Sequence, residues 1–298
     1  MSTEAKRAGV EAREDDTRAA VSEAYTRAVS SQPSCCGDAT PKGVTAKLAG
    51  YQAEDMAALP SDAVENSFGC GNPLAFAEVG EGDVVLDLGS GAGIDLLLAA
   101  RKVGPTGRVI GVDMTDAMID RARVNAAAAG FETIDVRKGI IEELPVETAS
   151  VDVVISNCVI NLSPEKHRVF AEIARTLKPG GRMRVSDIVV EELPEWVTES
   201  PELYSSCVAG AISEDAYTAG LQAAGLEQVE VVERLVYDPT QLEALIGSEI
   251  VEVGGEASGC CGGAPTALPA GMTLARAVSE LEGKVWSAIF VARKPAGS

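Results

Sequence analysis

Seven cysteines and one glycine-rich turn carry most of the chemistry legible in this 298-residue chain. The thiols are Cys35, Cys36, Cys70, Cys158, Cys207, Cys260 and Cys261. An odd count leaves one sulfur over from any static disulfide framework, and a chain this long does not need staples to fold. The thiols are therefore expected to be reduced, and they act either as soft ligands and nucleophiles or as small buried hydrophobes. Both readings stay open for lone cysteines such as Cys158 and Cys207. The adjacent pairs sit in polar or glycine-rich stretches, the later one in GCCGG at 259–263, which offer no core to bury them.

A closed zinc site wants four ligands with Cys-x-x-Cys or histidine spacing. The chain has no Cys-x-x-Cys, and its one histidine, His167, falls on an expected helix surface. Trivalent arsenic fits better, because three thiolates satisfy it and leave a lone pair free to attack an electrophilic methyl group. That attack needs no general base, in keeping with the lack of an obvious His or Lys candidate.

The methyl donor is suggested by residues 84–93, VVLDLGSGAG, a buried strand running into a turn that opens a helix near Ile94. Gly89, Gly91 and Gly93 let the backbone approach a ligand with no Cβ in the way, and Ser90 lies between them. The glycine pattern alone would also suit a dinucleotide. Asp87, directly before the turn, would face a pyrophosphate unfavourably and an ammonium group favourably. Asp113, at the end of the next strand, can accept hydrogen bonds from both ribose hydroxyls, with Met114 placed to pack on adenine. S-adenosylmethionine has the required cation and no phosphate.

These groups need a scaffold, and from Asp83 onward short β-branched runs alternate with amphipathic helices, as in a doubly wound parallel sheet. Strands are expected at 84–87, 108–113, 134–138, 151–156, 181–187, 229–236 and 286–293. Helices are expected at 16–30, 72–79, 94 onward, 115–129 (capped by Thr115 and stopped at Gly130), 163–177 and 214–224. The division that follows is an N-terminal appendage at 1–65, a Rossmann-like cofactor domain at 66–190, and a substrate-binding region at 191–298 that completes the sheet. The stretch 237–285 reads as an insertion between the last two strands.

In such sheets the ligand lies beyond the carboxyl ends of the strands. Cys158 follows the fourth strand and Cys207 follows the fifth, so both belong to that edge. If the sixth strand is parallel and the seventh antiparallel, Cys260 and Cys261 reach it too. Cys70, before the helix expected at 72–79, would sit near a helix N-terminus, where the dipole favours thiolate.

The words DLGSG at 87–91 and LKPGG at 177–181 resemble class I methyltransferases. That resemblance implies a seven-stranded sheet whose last strand is antiparallel, and further cofactor contacts from Ile141, Glu142 and Asn157. Over roughly residues 31–236 the chain resembles the arsenite methyltransferase family, through NSFGCGNP at 66–73, LDLGSGAGID at 86–95, SNCVINL at 156–162 and VSDI at 185–188. The resemblance implies that Cys158 and Cys207 hold arsenic, from arsenite or methylarsenite, while Cys70 joins during turnover. It also implies a protein disulfide that returns arsenic to the trivalent state, reset by thioredoxin or glutathione. Cys35 and Cys36 are expected to serve capture or disulfide exchange, and Cys260 and Cys261 to deliver arsenic or pair with Cys70.

Bulk properties limit the alternatives. Twenty-five basic against 45 acidic residues give a net charge of −20, which repels nucleic acid and anionic lipid. Neither a signal-peptide core nor a run of about 20 apolar residues is present, so a cytoplasmic protein is expected; separately, a monomer is expected. Two rival functions remain, another small-molecule C- or O-methyltransferase and a thiol protein that sequesters metalloids.

Overall fold

The computed structural model describes residues 3–30, 51, 53–67, 69, 71–74, 78–198, 207–243 and 272–297. Seven strands form one sheet: β1 Val84–Leu88, β2 Arg108–Asp113, β3 Ile134–Lys138, β4 Val151–Asn157, β5 Leu177–Val190, β6 Glu227–Val236 and β7 Val285–Arg293. Their order is β3-β2-β1-β4-β5-β7-β6. Strands β1 to β5 pair in parallel, whereas β7 slots antiparallel between β5 and β6. The doubly wound sheet with an antiparallel last strand is thus present as expected.

Helices cover both faces, which is why β1 reads as a near-continuous apolar run. Leu86 and Leu88 face a layer built by Phe170 and Ile173 of one helix and Tyr217 of another, while Val85 faces Leu96, Ala99 and Ala122 on the opposite side. Burying each such side chain contributes about 1.5–3 kcal/mol. The helices are α1 Thr3–Ser30, α2 Ala53–Ala57, α3 Ser61–Glu65, α4 Ile94–Val103, α5 Asp116–Ala128, α6 Lys166–Thr176, α7 Glu195–Thr198, α8 Glu214–Ala223 and α9 Leu274–Leu281.

Several local expectations needed tertiary correction. Thr115 stands at the N-cap position of α5, but its side chain makes no capping bond and its hydroxyl instead donates to Ser22 on α1. Strand β5 begins at Leu177 rather than at 181, because Gly180 and Gly181 exchange backbone hydrogen bonds with Lys294 beyond β7. Helix α9 lies inside the late insertion, where none was expected. Of the helix expected across 72–79, Pro73 and Leu74 lie in a turn and Glu78 and Val79 have no regular structure, while residues 75–77 lie outside those described. The chain just before it lies against the sheet edge. A Cβ on Gly69 would meet the Asn157 side chain at 2.2 Å, and one on Gly71 would meet Ser186 Oγ at 1.9 Å.

Candidate active site

A cleft opens at the carboxyl edge of β1, β2 and β4. Its floor is the turn after β1. Asp113, at the end of β2, accepts Gly91 N at 3.0 Å and Thr115 N at 2.8 Å, one on each carboxylate oxygen, and so ties the turn to the neighbouring strand. Burial pushes the Asp113 carboxyl up, against the pull of these backbone donors. Gly89 has φ +66°, and a Cβ there would meet Val159 at 2.4 Å, so the turn admits only glycine.

Asp87 and Asp95 form the electrostatic centre. Both are buried, and no salt-bridge partner faces either among the described residues. Burial, then the nearby Asp95 and Asp113 charges, hold the Asp87 carboxyl well above the usual carboxylate range. Burial raises Asp95 to about 6, opposed by its bonds from Tyr51 and Asn157. The Tyr51 hydroxyl lies 2.8 and 2.9 Å from the two Asp95 oxygens. Asn157 Nδ2 donates to Tyr51 Oη at 2.9 Å and to Gly71 O at 2.7 Å. Two uncompensated buried carboxylates are expensive unless a cation joins them. An amino-acid ammonium supplies that cation, and the buried, partnerless Ser90 Oγ and Asn66 Oδ1 on the same wall supply polar contacts. The residues present therefore fit S-adenosylmethionine.

Met114, Ile141, Glu142 and Asn157 also line the cleft. Gly93 does not. It is the N-cap of α4 at φ 94°, where a Cβ would meet the Ala122 backbone at 3.4 Å, so it serves helix packing. Glu142 is engaged from two sides, accepting Ser163 Oγ at 2.6 Å and Arg18 Nε at 3.3 Å. Arg18 also bonds Glu165, and its neighbours Val21 and Tyr25 complete a wall made by α1. Sequence patterns gave no signal for Arg18 or Tyr51, whereas Asn66 opens the 66–73 motif. Asp95 had one, as the carboxylate ending the 86–95 motif.

We expect Arg18→Ala to weaken S-adenosylmethionine binding about 3- to 10-fold, because it unlatches α1 and leaves the Glu142 carboxylate one donor short. Calorimetric titration reads this directly, and unchanged affinity would show that α1 is not part of the cofactor wall.

The second half of the site is built from sulfur. Cys158 follows β4 directly and lines the cleft beside Asn157, while the Cys207 thiol donates to the Cys158 carbonyl oxygen at 2.8 Å. Both cysteines are buried and both adopt positive φ, 59° and 52°. Left-handed backbone at a non-glycine residue costs of order 1–3 kcal/mol and tends to cluster at functional sites. The backbone N–H of Cys158 donates to Ser186 O at 2.8 Å, which holds the turn against β5. The two cysteines belong to a buried, largely apolar cluster with Val21, Leu162, Ile188, Val197 and Tyr237.

Cys158 is disulfide-bonded to a partner outside the described residues, whereas Cys207 is buried with its thiol on the Cys158 carbonyl. Cys35, Cys36, Cys70, Cys260 and Cys261 all lie there, and their expected roles are not tested by the described structure. Among the described residues no three His, Cys, Asp or Glu side chains group as a metal site.

A family profile described as "Methyltransferase domain" matches residues 80–225. The arsenite methyltransferase of Halobacterium salinarum is 50% identical over 204 residues, covering 68% of this chain and 52% of that protein. The arsenite methyltransferase of Homo sapiens is 38% identical over 155 residues, covering 49% and 41%. Among solved structures, an arsenic(III) S-adenosylmethionine methyltransferase from Chlamydomonas reinhardtii superposes with TM-score 0.53 at 32% identity, covering 86% of this chain and 74% of that one.

The chain belongs to the arsenite methyltransferase family.

It spans about half the length of the curated arsenite methyltransferases it matches. The family profile spans the Asp87–Asp113 turn. No helix among the described residues is long and apolar enough to cross a membrane.

Proposed function

We propose that this protein transfers methyl groups from S-adenosylmethionine to thiol-bound trivalent arsenic, with arsenite or methylarsenite as the acceptor. The observation that carries the reading is the position of Cys158. It is shared between the cofactor cleft, which it lines with Asp87 and Asn157, and the sulfur site, where its carbonyl accepts the Cys207 thiol.

S-adenosylmethionine, when bound, supplies an electrophilic methyl carbon on a sulfonium sulfur. Asp87 and Asp95 anchor the donor's ammonium end, and Asp113 with the Gly89–Gly91 turn sets the adenosine end. Cys158 and Cys207, once reduced, displace hydroxide from arsenite as water and hold the metalloid with its lone pair exposed. Cys70 completes the trigonal set in this reading, and its neighbours Gly69 and Gly71 are pressed against Asn157 and Ser186, close to Cys158 in the chain path. Attack by the lone pair forms an As–C bond as the donor's sulfonium S–C bond breaks and S-adenosylhomocysteine leaves, and it raises arsenic formally to the pentavalent state. Two protein thiolates then leave as a disulfide, and their two electrons return arsenic to the trivalent state. The disulfide at Cys158 supports this cycle, in which Cys158 takes a redox part in addition to holding. Thioredoxin or glutathione then reduces the disulfide, in a monomer working in the cytoplasm.

The test is product speciation. Incubation with S-adenosylmethionine, arsenite and a thiol should yield methylated arsenicals in amounts matching the S-adenosylhomocysteine formed. Turnover on a carbon or oxygen acceptor with no arsenical product would place the chain with the other methyltransferases instead.

A further inference from the structure

Asn66 is the C-cap of α3 and lines the cofactor cleft, with its side chain buried. An amide on a cleft wall can present a donor or an acceptor, and its neighbours decide which. Here Nδ2 donates twice, to Asp62 O at 2.9 Å and to Asp62 Oδ1 at 3.0 Å. The nitrogen is thereby engaged, and Oδ1 is left as a buried acceptor with no partner.

Asp62 is itself fixed from α5. Arg121 pairs with its Oδ1, and Asn125 Nδ2, one helical turn along, donates to its Oδ2 at 3.1 Å. The same Asn125 nitrogen donates to Ala92 O at 3.0 Å, in the turn after β1, and Arg121 Nη2 donates to Val29 O of α1 at 2.6 Å. The Asp62 carboxylate therefore has one orientation, set by two helices and the cofactor turn, and it determines which way the Asn66 amide faces.

The path of the chain shows which part of the cofactor Asn66 meets. Three residues on, Gly69 lies against Asn157, which follows β4 and bonds the Tyr51 hydroxyl that in turn bonds Asp95. Met114, Ile141 and Glu142 follow β2 and β3, on the other side of β1. Asn66 thus enters from the Asp95 side, where the ammonium belongs, and away from the wall that meets adenine.

We propose that Asn66 Oδ1 is the third acceptor for the cofactor's ammonium, beside Asp87 and Asp95, and that Asp62 is the positioning residue that turns this oxygen into the cleft. The proposal rests on the reading of the cleft as a S-adenosylmethionine site. An ammonium has three N–H donors, and two carboxylates leave one to be met. A neutral amide oxygen meets it without adding a third buried anion to a pair that already repels itself.

The experiment compares S-adenosylmethionine with 5′-methylthioadenosine, which keeps the adenosine and methylthio parts and lacks the aminoacyl end. Calorimetry measures both, the weaker ligand by displacement. Asn66→Ala should weaken S-adenosylmethionine about tenfold, as for one charge-assisted hydrogen bond, and leave methylthioadenosine within about twofold. Asp62→Ala should show the same selectivity with a smaller loss, about threefold, because the Asp62 carbonyl still holds Nδ2. Equal weakening of both ligands would mean that these residues only support the cleft, and it would overturn the proposal. Unchanged affinity for S-adenosylmethionine in either variant would overturn it too. If Asn66→Ala does not fold, the near-isosteric Asn66→Leu is read the same way. A wild type that binds neither ligand fails the cofactor reading itself, a result distinct from loss of selectivity in the variants.

Discussion

Cys207→Ser should lower arsenite-dependent methyl transfer by roughly three orders of magnitude while leaving affinity for S-adenosylmethionine within about twofold. Serine keeps a hydroxyl that can donate to the Cys158 carbonyl, so the left-handed turn at position 207 loses little support. It offers only a hard, protonated oxygen in place of a soft thiolate, and arsenic loses one of its anchoring bonds. Cys158→Ser should be equally inactive for a second reason, since it also removes a sulfur that enters a disulfide. The readouts are methylated-arsenical speciation and calorimetric titration with S-adenosylmethionine. Robust arsenite methylation by either variant would remove the sulfur site from the mechanism, whatever the cofactor cleft does.

Asp87→Asn is expected to weaken S-adenosylmethionine binding about 100-fold, because it replaces a charge-assisted contact to the ammonium with a neutral one; this corresponds to about 2.7 kcal/mol. A pH signature accompanies it. Asp87 and Asp95 both have carboxyl groups raised in the fold, Asp95 to about 6 from an ordinary 3.8. The folded, ligand-free chain therefore binds protons more tightly than the unfolded chain between about pH 4 and pH 6. In that window stability falls as pH rises, the sign for a carboxyl whose folded pKa lies above its unfolded value. The Tm of the ligand-free protein should accordingly be higher at pH 5 than at pH 7.5. The increment in Tm from saturating S-adenosylmethionine should run the other way, because the ammonium binds the ionised pair. Asp95→Asn should flatten both trends, and scanning calorimetry across the two pH values decides the matter. A cofactor increment that does not grow with pH would mean that the ammonium lies elsewhere.

Local patterns carried the fold a long way. The seven strands follow from β-branched runs of the right length, and the antiparallel β7 from resemblance to a methyltransferase sheet. Asp87, Gly89, Gly91 and Asp113 were legible because strand, turn and helix are contiguous in the chain, so a cofactor turn leaves a continuous word. The placement of Cys158 and Cys207 at the ligand edge followed from topology alone, since any residue just past a parallel strand must emerge there.

Helix α1 shows where such reasoning stops. Its apolar spacing is weak, and nothing in residues 3–30 marks Arg18 as the partner of Glu142, 124 positions away. The Tyr51–Asp95–Asn157 network joins residues 44 and 106 apart, so no window of sequence contains it. The close approach of Gly69 and Gly71 to Asn157 and Ser186 likewise joins residues far apart in the chain, and no local pattern announces it.

What the sequence by itself determined is the sheet, the cofactor turn and the edge on which the thiols emerge, all consequences of short-range pattern and strand direction. Only the tertiary structure decided that Asp95 doubles the charge of Asp87, that Cys207 meets the Cys158 carbonyl on strained backbone, and that Lys166 turns inward onto the Asn161 and Ser163 carbonyls. The physical reason is common to all three: each is an electrostatic or hydrogen-bonded contact, created when burial removes water and leaves those groups only one another as partners.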